Sequence, residues 1–331
     1  MDRGWKGRLV LVTGAGGFIG SHLTETLLRE GARVRAFLRY TSRNRQGLLS
    51  EIPLPSRENL ELYFGDLRDQ ESVKGAFPDV EAVFHLGALI GVPYSFLHPR
   101  EVMENNTLST MNILSAALEY KTSRVVVTSS SEVYGSAQRL PMDENHPLHP
   151  QSPYAASKVA CDALALSYFH SFNLPVTVLR PFNTYGPRQS LRAVIPTVIV
   201  QALRGEPLRL GSLSPRRDFT FVEDTVRGFI DSSLSPRVLG KAVVLGNGES
   251  HSVGEVVELV QELVGRTLEV TTEERRIRPG TSEVTELLAG ASLAGELLGW
   301  TPKVDLREGL GRTVQWMERH LREIPGEDYG I

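Results

Sequence analysis

Short, continuous apolar runs alternate with longer stretches of helical periodicity through the first half of the chain. Runs of Val, Leu and Phe without in–out alternation are typical of strands buried on both faces of a parallel sheet. The pattern predicts strands at Leu9–Val12, Val34–Leu38, Leu60–Phe64, Ala82–Leu86, Val125–Thr128 and Val176–Leu179, and helices at Ser21–Arg29, Thr107–Glu119 and Tyr154–Phe172. Repeated strand–helix units with parallel strands form a sheet that helices cover on both faces. We therefore predict an α/β fold with a doubly wound parallel sheet.

The alternation loosens after about Pro181. Segments marked by Pro and Gly follow, with helical periodicity near Ile195–Arg204, Val253–Val264 and Leu306–His320. A chain of 331 residues suggests two domains at about 150 residues each. The sequence thus predicts a sheet domain over residues 1–181 and a smaller, mixed α/β lobe over residues 182–331. Part of the segment 218–250 is expected to pack back onto the first domain.

Composition excludes several classes of protein. Hydrophobic residues make up 41% and charged residues 23%, which suits a globular core and excludes a disordered chain. A net charge of −3 does not indicate binding to nucleic acid or to an anionic membrane, since both attract proteins with excess positive charge. Cys161 is the only cysteine, which excludes an internal disulfide and fits the reducing cytoplasm. The N-terminal apolar run is too short for a signal peptide or a membrane span.

A glycine-rich turn links the first strand to the first helix. Its spacing is Gly14-x-x-Gly17-x-x-Gly20, Phe18 and Ile19 lie between the last two glycines, and the predicted helix follows. Phe18 and Ile19 are expected to contact the cofactor together with the three glycines. Glycines at such a turn let the backbone approach a pyrophosphate, and the helix N-terminus supplies amide donors and a positive dipole end. The sequence predicts that residues 1–181 form a dinucleotide-binding domain of the Rossmann type.

The residues after the second strand bear on the choice of dinucleotide. An NAD site usually carries an acidic residue about 20 residues beyond the glycines. The segment Gly31–Ser50 contains no acid, whereas Arg39 and Arg43 could pair with a 2′-phosphate. We predict NADP, with NAD as the alternative. Four further residues at carboxyl ends of strands are expected to line the cofactor: Asp66, Leu67, Leu86 and Ala88.

A catalytic pattern follows the fifth strand. Ser130, Ser131 and Glu132 stand at the strand end, and Tyr154 and Lys158 are four apart on one face of the next helix. An ammonium group beside a phenol favours the phenolate, so Lys158 is expected to lower the pKa of Tyr154 and make it a base. No Cys or acidic residue at ligand spacing accompanies His146 and His149, so no metal site is predicted.

These segments together resemble the nucleotide-sugar branch of the extended short-chain dehydrogenases/reductases. The resemblance covers nearly the whole chain and rests on TGAGGFIG, HLGA, SSSEVYG, YAASK, RPFNTYGPR and RRDFTFVEDT. It implies that residues 182–331 form a nucleotide-sugar-binding lobe. It also implies a homodimer paired through the helices Thr107–Glu119 and Tyr154–Phe172. By resemblance, the residues facing the substrate are Ser95, Asn183, Arg192, Arg217 and Arg278.

Glu132 narrows the expected reaction. Epimerases of this branch usually carry a small hydroxyl residue at this position, whereas sugar 4,6-dehydratases and UDP-glucuronate decarboxylases carry Glu. The segment Ser131–Leu203 most resembles dehydratases that act on nucleotide-linked N-acetylglucosamine. The expectation is a 4,6-dehydratase acting on UDP-GlcNAc, with a GDP-linked sugar as the other substrate considered. A decarboxylase, a 4-epimerase or reductase, and a non-catalytic dinucleotide sensor are the alternatives.

Overall fold

A seven-stranded parallel sheet forms the centre of the molecule. The computed structural model describes residues 4–273 and 284–324. The strands of this sheet are β1 (Leu9–Thr13), β2 (Arg33–Arg39), β3 (Leu60–Gly65), β4 (Ala82–His85), β5 (Arg124–Thr128), β6 (Val176–Pro181) and β10 (Ala242–Leu245). Their order is β10-β6-β5-β4-β1-β2-β3, and every pairing is parallel. The order reverses between β1 and β4, and ligands of open α/β sheets bind beyond the strand ends at such a point.

Helices cover both faces of this sheet and build most of the second lobe. They are α1 (Phe18–Arg29), α2 (Gln70–Gly75), α3 (Val92–Leu97), α4 (Pro99–Glu119), α5 (Pro153–Phe172), α6 (Val194–Arg204), α7 (Val222–Leu234), α8 (Val253–Val264), α9 (Ser292–Leu298) and α10 (Leu306–His320). The predicted doubly wound α/β fold is confirmed.

The predicted helices agree with the structure apart from two starts: α1 begins at Phe18, three residues before the predicted Ser21, and α4 differs more. Helix α4 begins at Pro99, two turns before the predicted Thr107. Its first turns carry mostly polar residues, so they show no apolar periodicity. Proline suits the first helical position, because its missing N–H has no partner within a helix there. Helix α5 starts as predicted because Ser152 caps it and Pro153 follows.

The second lobe adds two small sheets to the central one. One joins β7 (Asn183–Tyr185), β9 (Arg216–Phe221) and β11 (Ser250–Ser252), with β9 in the middle. The other pairs β8 (Leu208–Leu210) with β12 (Val270–Thr272). Helices α6, α8 and α10 pack together over these strands.

The two lobes share one hydrophobic core. Strand β10 lies within the second lobe in sequence, after α7 and before α8, and it pairs with β6 at the edge of the central sheet. Helix α7 packs against α1, β5 and β6. One cluster of buried side chains runs from Val12 and Phe84 in the sheet to Ile199 and Phe221 in the second lobe. The domain boundary at residue 181 stays a prediction.

Candidate active site

The glycine-rich turn brings the backbone close to the next strand end. Gly14 has a φ of +68°, and a Cβ there would lie 2.8 Å from the amide nitrogen of Gly87. A Cβ at Gly20 would collide with the carbonyl oxygen of Gly14. Only glycine fits both positions without strain. Helix α1 starts at Phe18 without a side-chain cap, so its first N–H groups remain for a ligand.

A hydrogen-bonded chain fixes the segment that follows β4. Thr13 Oγ1 accepts from the amides of Leu86 (3.1 Å) and Gly87 (3.0 Å) and lies 2.8 Å from His85 Nδ1. Burial lowers the pKa of His85 to about 3, so this imidazole is neutral. Its Nε2 lies 3.2 Å from Thr110 Oγ1 on α4. The segment from Leu86 to Ala88 is therefore held beside the glycine turn, and both of these residues are half-buried.

The ends of β2 and β3 complete this edge of the site. Arg39 and Arg43 are both exposed. Asp66 forms a bidentate pair with Arg68, 2.6 Å at its shortest, and this hydrogen bonding lowers the pKa of the Asp66 carboxyl. The positive charge of Arg39 lowers it further, so Arg39 and Asp66 lie near each other. The carbonyl oxygen of the adjacent Leu67 accepts from Asn112 on α4.

The end of β5 and the start of α5 bring the predicted catalytic side chains together. Ser130 caps the short 3-10 helix Ser131–Tyr134, and its Oγ accepts from the Glu132 amide at 3.2 Å. Tyr154, 7% exposed, forms a hydrogen bond with Ser130 and lies close enough to Glu132 for that charge to act on its pKa. Ser131 is buried behind them. Ser130, Glu132 and Tyr154 thus form one cluster.

The protonation of Tyr154 differs from the sequence-based expectation. Burial raises the pKa of Tyr154 above its ordinary value, the Ser130 hydrogen bond lowers it, and the Glu132 charge raises it. Burial also lowers the pKa of Lys158, whose Nζ donates to the carbonyl oxygen of Thr128 at 2.8 Å. The expected lowering of the Tyr154 pKa is therefore wrong for the protein by itself, because desolvation of the buried phenol raises it.

Two buried networks that the sequence did not reveal hold α5 in place. Arg180 on β6 pairs with Asp162 at 3.0 Å and donates to the Tyr134 hydroxyl at 3.0 Å. Asn106 on α4 donates to Ser157 Oγ at 2.9 Å, and its Oδ1 accepts from the amide of Leu89 at 2.8 Å. These contacts join residues that are far apart in sequence, so no local sequence pattern predicts them. The Tyr154 helix is fixed to β6, to α4 and to the loop after β4.

The second lobe contributes some of the residues expected to face the substrate. Asn183 and Arg217 lie on the paired strands β7 and β9. Arg217 is 8% exposed, and its Nη1 donates to the Arg216 carbonyl oxygen. Asn183 Oδ1 is buried and has no hydrogen-bond partner among residues 4–273 and 284–324.

Three other predicted substrate residues are not brought to these strands. Arg192 is exposed in the loop before α6. Ser95 is fully buried, and its hydroxyl donates to the Val92 carbonyl oxygen at 2.7 Å, so substrate contact would require α3 to move. Contact between Ser95 and the substrate stays a prediction. Arg278 lies outside the described residues.

The glycine turn and the Ser130, Tyr154 and Lys158 constellation on this sheet define an extended short-chain dehydrogenase/reductase. The chain belongs to the GDP-mannose 4,6 dehydratase family, whose model matches residues 11–313. This is a family of NAD-dependent enzymes that modify nucleotide sugars. Within the described parts of the chain, no helix combines the length and apolar character needed to cross a membrane.

The similar proteins carry out different reactions. A putative UDP-glucose 4-epimerase of Methanocaldococcus jannaschii is 32% identical, covering 95% of this chain and 100% of its own. UDP-glucuronic acid decarboxylase 1 of Danio rerio is 30% identical, covering 97% of this chain and 75% of its own. The structure of DesIV, a dTDP-glucose 4,6-dehydratase of Streptomyces venezuelae with NAD bound, superposes with a TM-score of 0.87 at 27% identity, covering 97% and 100% of the two chains.

Proposed function

We propose that this protein is a nucleotide-sugar 4,6-dehydratase that converts UDP-GlcNAc to its 4-keto-6-deoxy derivative. The observation that carries the proposal is Glu132, which lies beside Ser130 and Tyr154 at the end of β5. Removal of a C5 proton and departure of the 6-hydroxyl require an acid–base group next to the group that deprotonates O4. A carboxylate at this position supplies one.

The turn geometry supports a dinucleotide at the amino end of α1. The close backbone contacts at Gly14 and Gly20 keep the turn tight, and the first amides of α1 have no side-chain cap. Phe18 and Ile19 would hold the pyrophosphate with their amides, whereas the Gly17 amide donates to the Gly14 carbonyl oxygen within the turn. Lys158 would contact the nicotinamide ribose. When bound, the oxidised nicotinamide accepts a hydride from C4 and returns it to C6, and its positive charge lowers the pKa of a nearby phenol.

The protein side chains divide the proton transfers between them. Ser130 holds the sugar O4, and Tyr154 takes the O4 proton as C4 is oxidised. The resulting 4-ketone acidifies the C5 proton, because the carbanion left behind is stabilised as an enolate. Glu132 then takes this proton and helps the 6-hydroxyl leave as water. Asn183 and Arg217 would hold the nucleotide diphosphate from β7 and β9.

A decarboxylase of UDP-glucuronate is the second candidate, since it would use the same Tyr, Lys and Glu and relatives with that activity are similar over most of the chain. A 4-epimerase is the third candidate, because a putative UDP-glucose 4-epimerase is among the similar proteins.

The experiment that separates these candidates is a screen of UDP-, GDP- and dTDP-linked sugars with mass spectrometry. Loss of water from UDP-GlcNAc supports the proposal, loss of carbon dioxide from UDP-glucuronate favours the decarboxylase, and a product of unchanged mass favours the epimerase.

Turnover is expected to leave the cofactor in its starting state. The hydride removed from C4 returns to C6, so absorbance at the wavelength of reduced nicotinamide should not rise steadily during dehydration. No added reductant should be needed. Steady accumulation of reduced cofactor in step with product would contradict the dehydratase and indicate a simple dehydrogenase.

We propose that the cofactor is NADP, on the strength of the two exposed arginines and the acid-free segment that holds them. The bound cofactor in the similar DesIV structure is NAD, which is the alternative. Substituting Arg39→Gln should weaken NADP binding by about 10- to 150-fold, since a hydrogen bond to a charged group contributes about 1.5–3 kcal/mol. The dissociation constant for NAD should change little. Arg33→Gln, at the other end of β2, is the matched control; equal NAD and NADP affinities in the unmodified protein would contradict the preference.

We propose that two copies of the chain associate through α4 and α5. Met103, Leu108 and Met111 are each 38–39% exposed along α4. Leu108 and Met111 are three residues apart and share a helix face, and exposed apolar side chains favour burial against a partner. Sedimentation of the full chain should give a dimer, and Met111→Glu should shift it toward monomer. A monomer at micromolar concentration in the unmodified protein would contradict this arrangement.

A further inference from the structure

The loop that follows β7 is joined to α1 by two side-chain contacts. Arg188 Nη2 donates to Glu25 Oε2 at 2.7 Å, and the two side chains are 9% and 21% exposed. His22 Nε2 lies 2.9 Å from the Pro187 carbonyl oxygen. His22 and Glu25 are three residues apart and therefore share one face of α1.

Both contacts hold the loop after β7 in one position on α1. Burial lowers the pKa of His22 to about 4, so its ring is neutral and Nε2–H donates to Pro187. The Glu25–Arg188 pair is largely removed from water, so screening weakens it less than a surface pair. This loop is therefore bound to one particular face of the helix that opens at the glycine turn.

Arg188 holds an unusual backbone conformation. Its φ is +69°, a left-handed region in which a residue with a long side chain is strained. Such strain persists where surrounding contacts demand it, and it concentrates at functional sites. Glycine would relieve the strain but would lose the contact with Glu25. The contacts of the arginine side chain at this position therefore offset the backbone strain.

Several buried polar atoms on the segment 183–189 have no hydrogen-bond partner among the described residues. Among the described residues, Arg188 Nε and Nη1, Gln189 Oε1 and Asn183 Oδ1 are buried without hydrogen-bond partners. Buried polar groups normally have hydrogen-bond partners. Several buried polar atoms without partners on one short segment therefore indicate that a ligand or ordered water forms hydrogen bonds with them. The same segment begins with Asn183, which the proposed function assigns to the substrate.

We propose that Arg188 is a positioning residue that couples dinucleotide binding on α1 to nucleotide-sugar binding on β7 and the loop that follows it, residues 183–189. The inference rests on the proposed function for its two ligands. A dinucleotide at the amino end of α1 would hold that helix in one position, and the Glu25–Arg188 pair would pass this constraint to the segment that begins with Asn183. Each ligand then binds more tightly in the presence of the other, and by linkage the factor is the same in both directions.

The experiment measures this factor directly. Calorimetry gives the dissociation constant of NAD or NADP, whichever binds more tightly, without and with a saturating nucleoside diphosphate. UDP, GDP and dTDP are compared, and the tightest is used. The unmodified protein is expected to show a coupling of about fivefold or more, at the lower end of measured allosteric couplings. Glu25→Gln and the double variant Glu25→Gln/Arg188→Asn should each reduce it to near onefold.

Three variants distinguish a loss of coupling from a loss of folding. Arg188→Asn retains a residue that tolerates a positive φ, so the loop can keep its conformation without the ion pair. Arg188→Lys retains a charge facing Glu25 and should restore part of the coupling. Arg29→Gln, exposed at the last turn of α1, is the matched control and should leave the coupling unchanged.

Two outcomes would overturn the inference. If the variants lower the melting temperature and both affinities but leave the coupling factor unchanged, the Glu25–Arg188 pair is merely structural. If the unmodified protein binds both ligands without any coupling, Arg188 has nothing to transmit. By contrast, an absence of binding by all three nucleoside diphosphates contradicts the proposed function itself, so the two failures are distinguishable.

Discussion

Replacing Glu132 by Gln is expected to separate oxidation of the sugar from loss of water. The amide keeps the shape of the side chain but cannot take the C5 proton. C4 oxidation, for which Tyr154 takes the O4 proton and the nicotinamide would accept the hydride, should continue, whereas product formation should fall by about 10²- to 10⁴-fold, the usual contribution of a general acid–base group. Bound cofactor would then accumulate in its reduced form, which absorbance in single-turnover experiments detects.

The control for this variant is Glu104→Gln, an exposed carboxylate on α4 that should leave turnover unchanged. Release of the 4-keto-6-deoxy product at a near-normal rate by the Glu132 variant would show that another group performs the elimination. Ser131, directly before Glu132, and the segment Gly91–Ser95 would be the next residues to test. The buried hydroxyls of Ser131 and Ser95 would then have to become accessible during turnover.

Tyr154→Phe is expected to stop both oxidation and water loss. Without the phenolic oxygen nothing removes the O4 proton, so turnover should fall by about 10²- to 10⁴-fold with no reduced cofactor accumulating. Affinity for the dinucleotide should remain within about threefold, since most of its contacts are on α1. The absence of a reduced intermediate distinguishes this variant from Glu132→Gln.

Tyr168→Phe on the same helix is the matched control, because its hydroxyl contacts only Ser115 among the described hydrogen bonds. It should keep near-normal turnover. If Tyr154→Phe still oxidised C4, measured as cofactor reduction with a single equivalent of sugar, then Ser130 or a bound water would have to be the base, and the role given to Tyr154 would be wrong.

The sequence predicted six of the seven central strands, most clearly those that are buried on both faces. Val10, Phe84 and Val126 are fully buried, so their strands appear as apolar runs. Strand β10 was not predicted. The glycine turn was equally readable, since Gly14 and Gly20 serve close backbone contacts that only glycine permits. Local patterns of this kind reflect local physical constraints.

Features that depend on distant residues were not predictable in the same way. The Arg180–Asp162 pair and the Glu25–Arg188 pair join separate elements, and spacing along the chain carries no signal for them. The pKa of Tyr154 depends on how deeply the folded protein buries it, so its neighbour Lys158 alone gave the wrong direction. Ser95 belongs to a short helix whose packing, rather than its residue type, hides its hydroxyl.

The position of β10 has a consequence for synthesis of the protein. β6 is complete at Pro181, yet its partner does not emerge from the ribosome until Ala242–Leu245 has been made. At about 5–20 residues per second, the nascent sheet presents an open, apolar edge for several seconds. Unpaired strand edges attract other strands. The nascent chain therefore passes through a stage in which a chaperone, or the second lobe folding over that edge, must prevent association between copies.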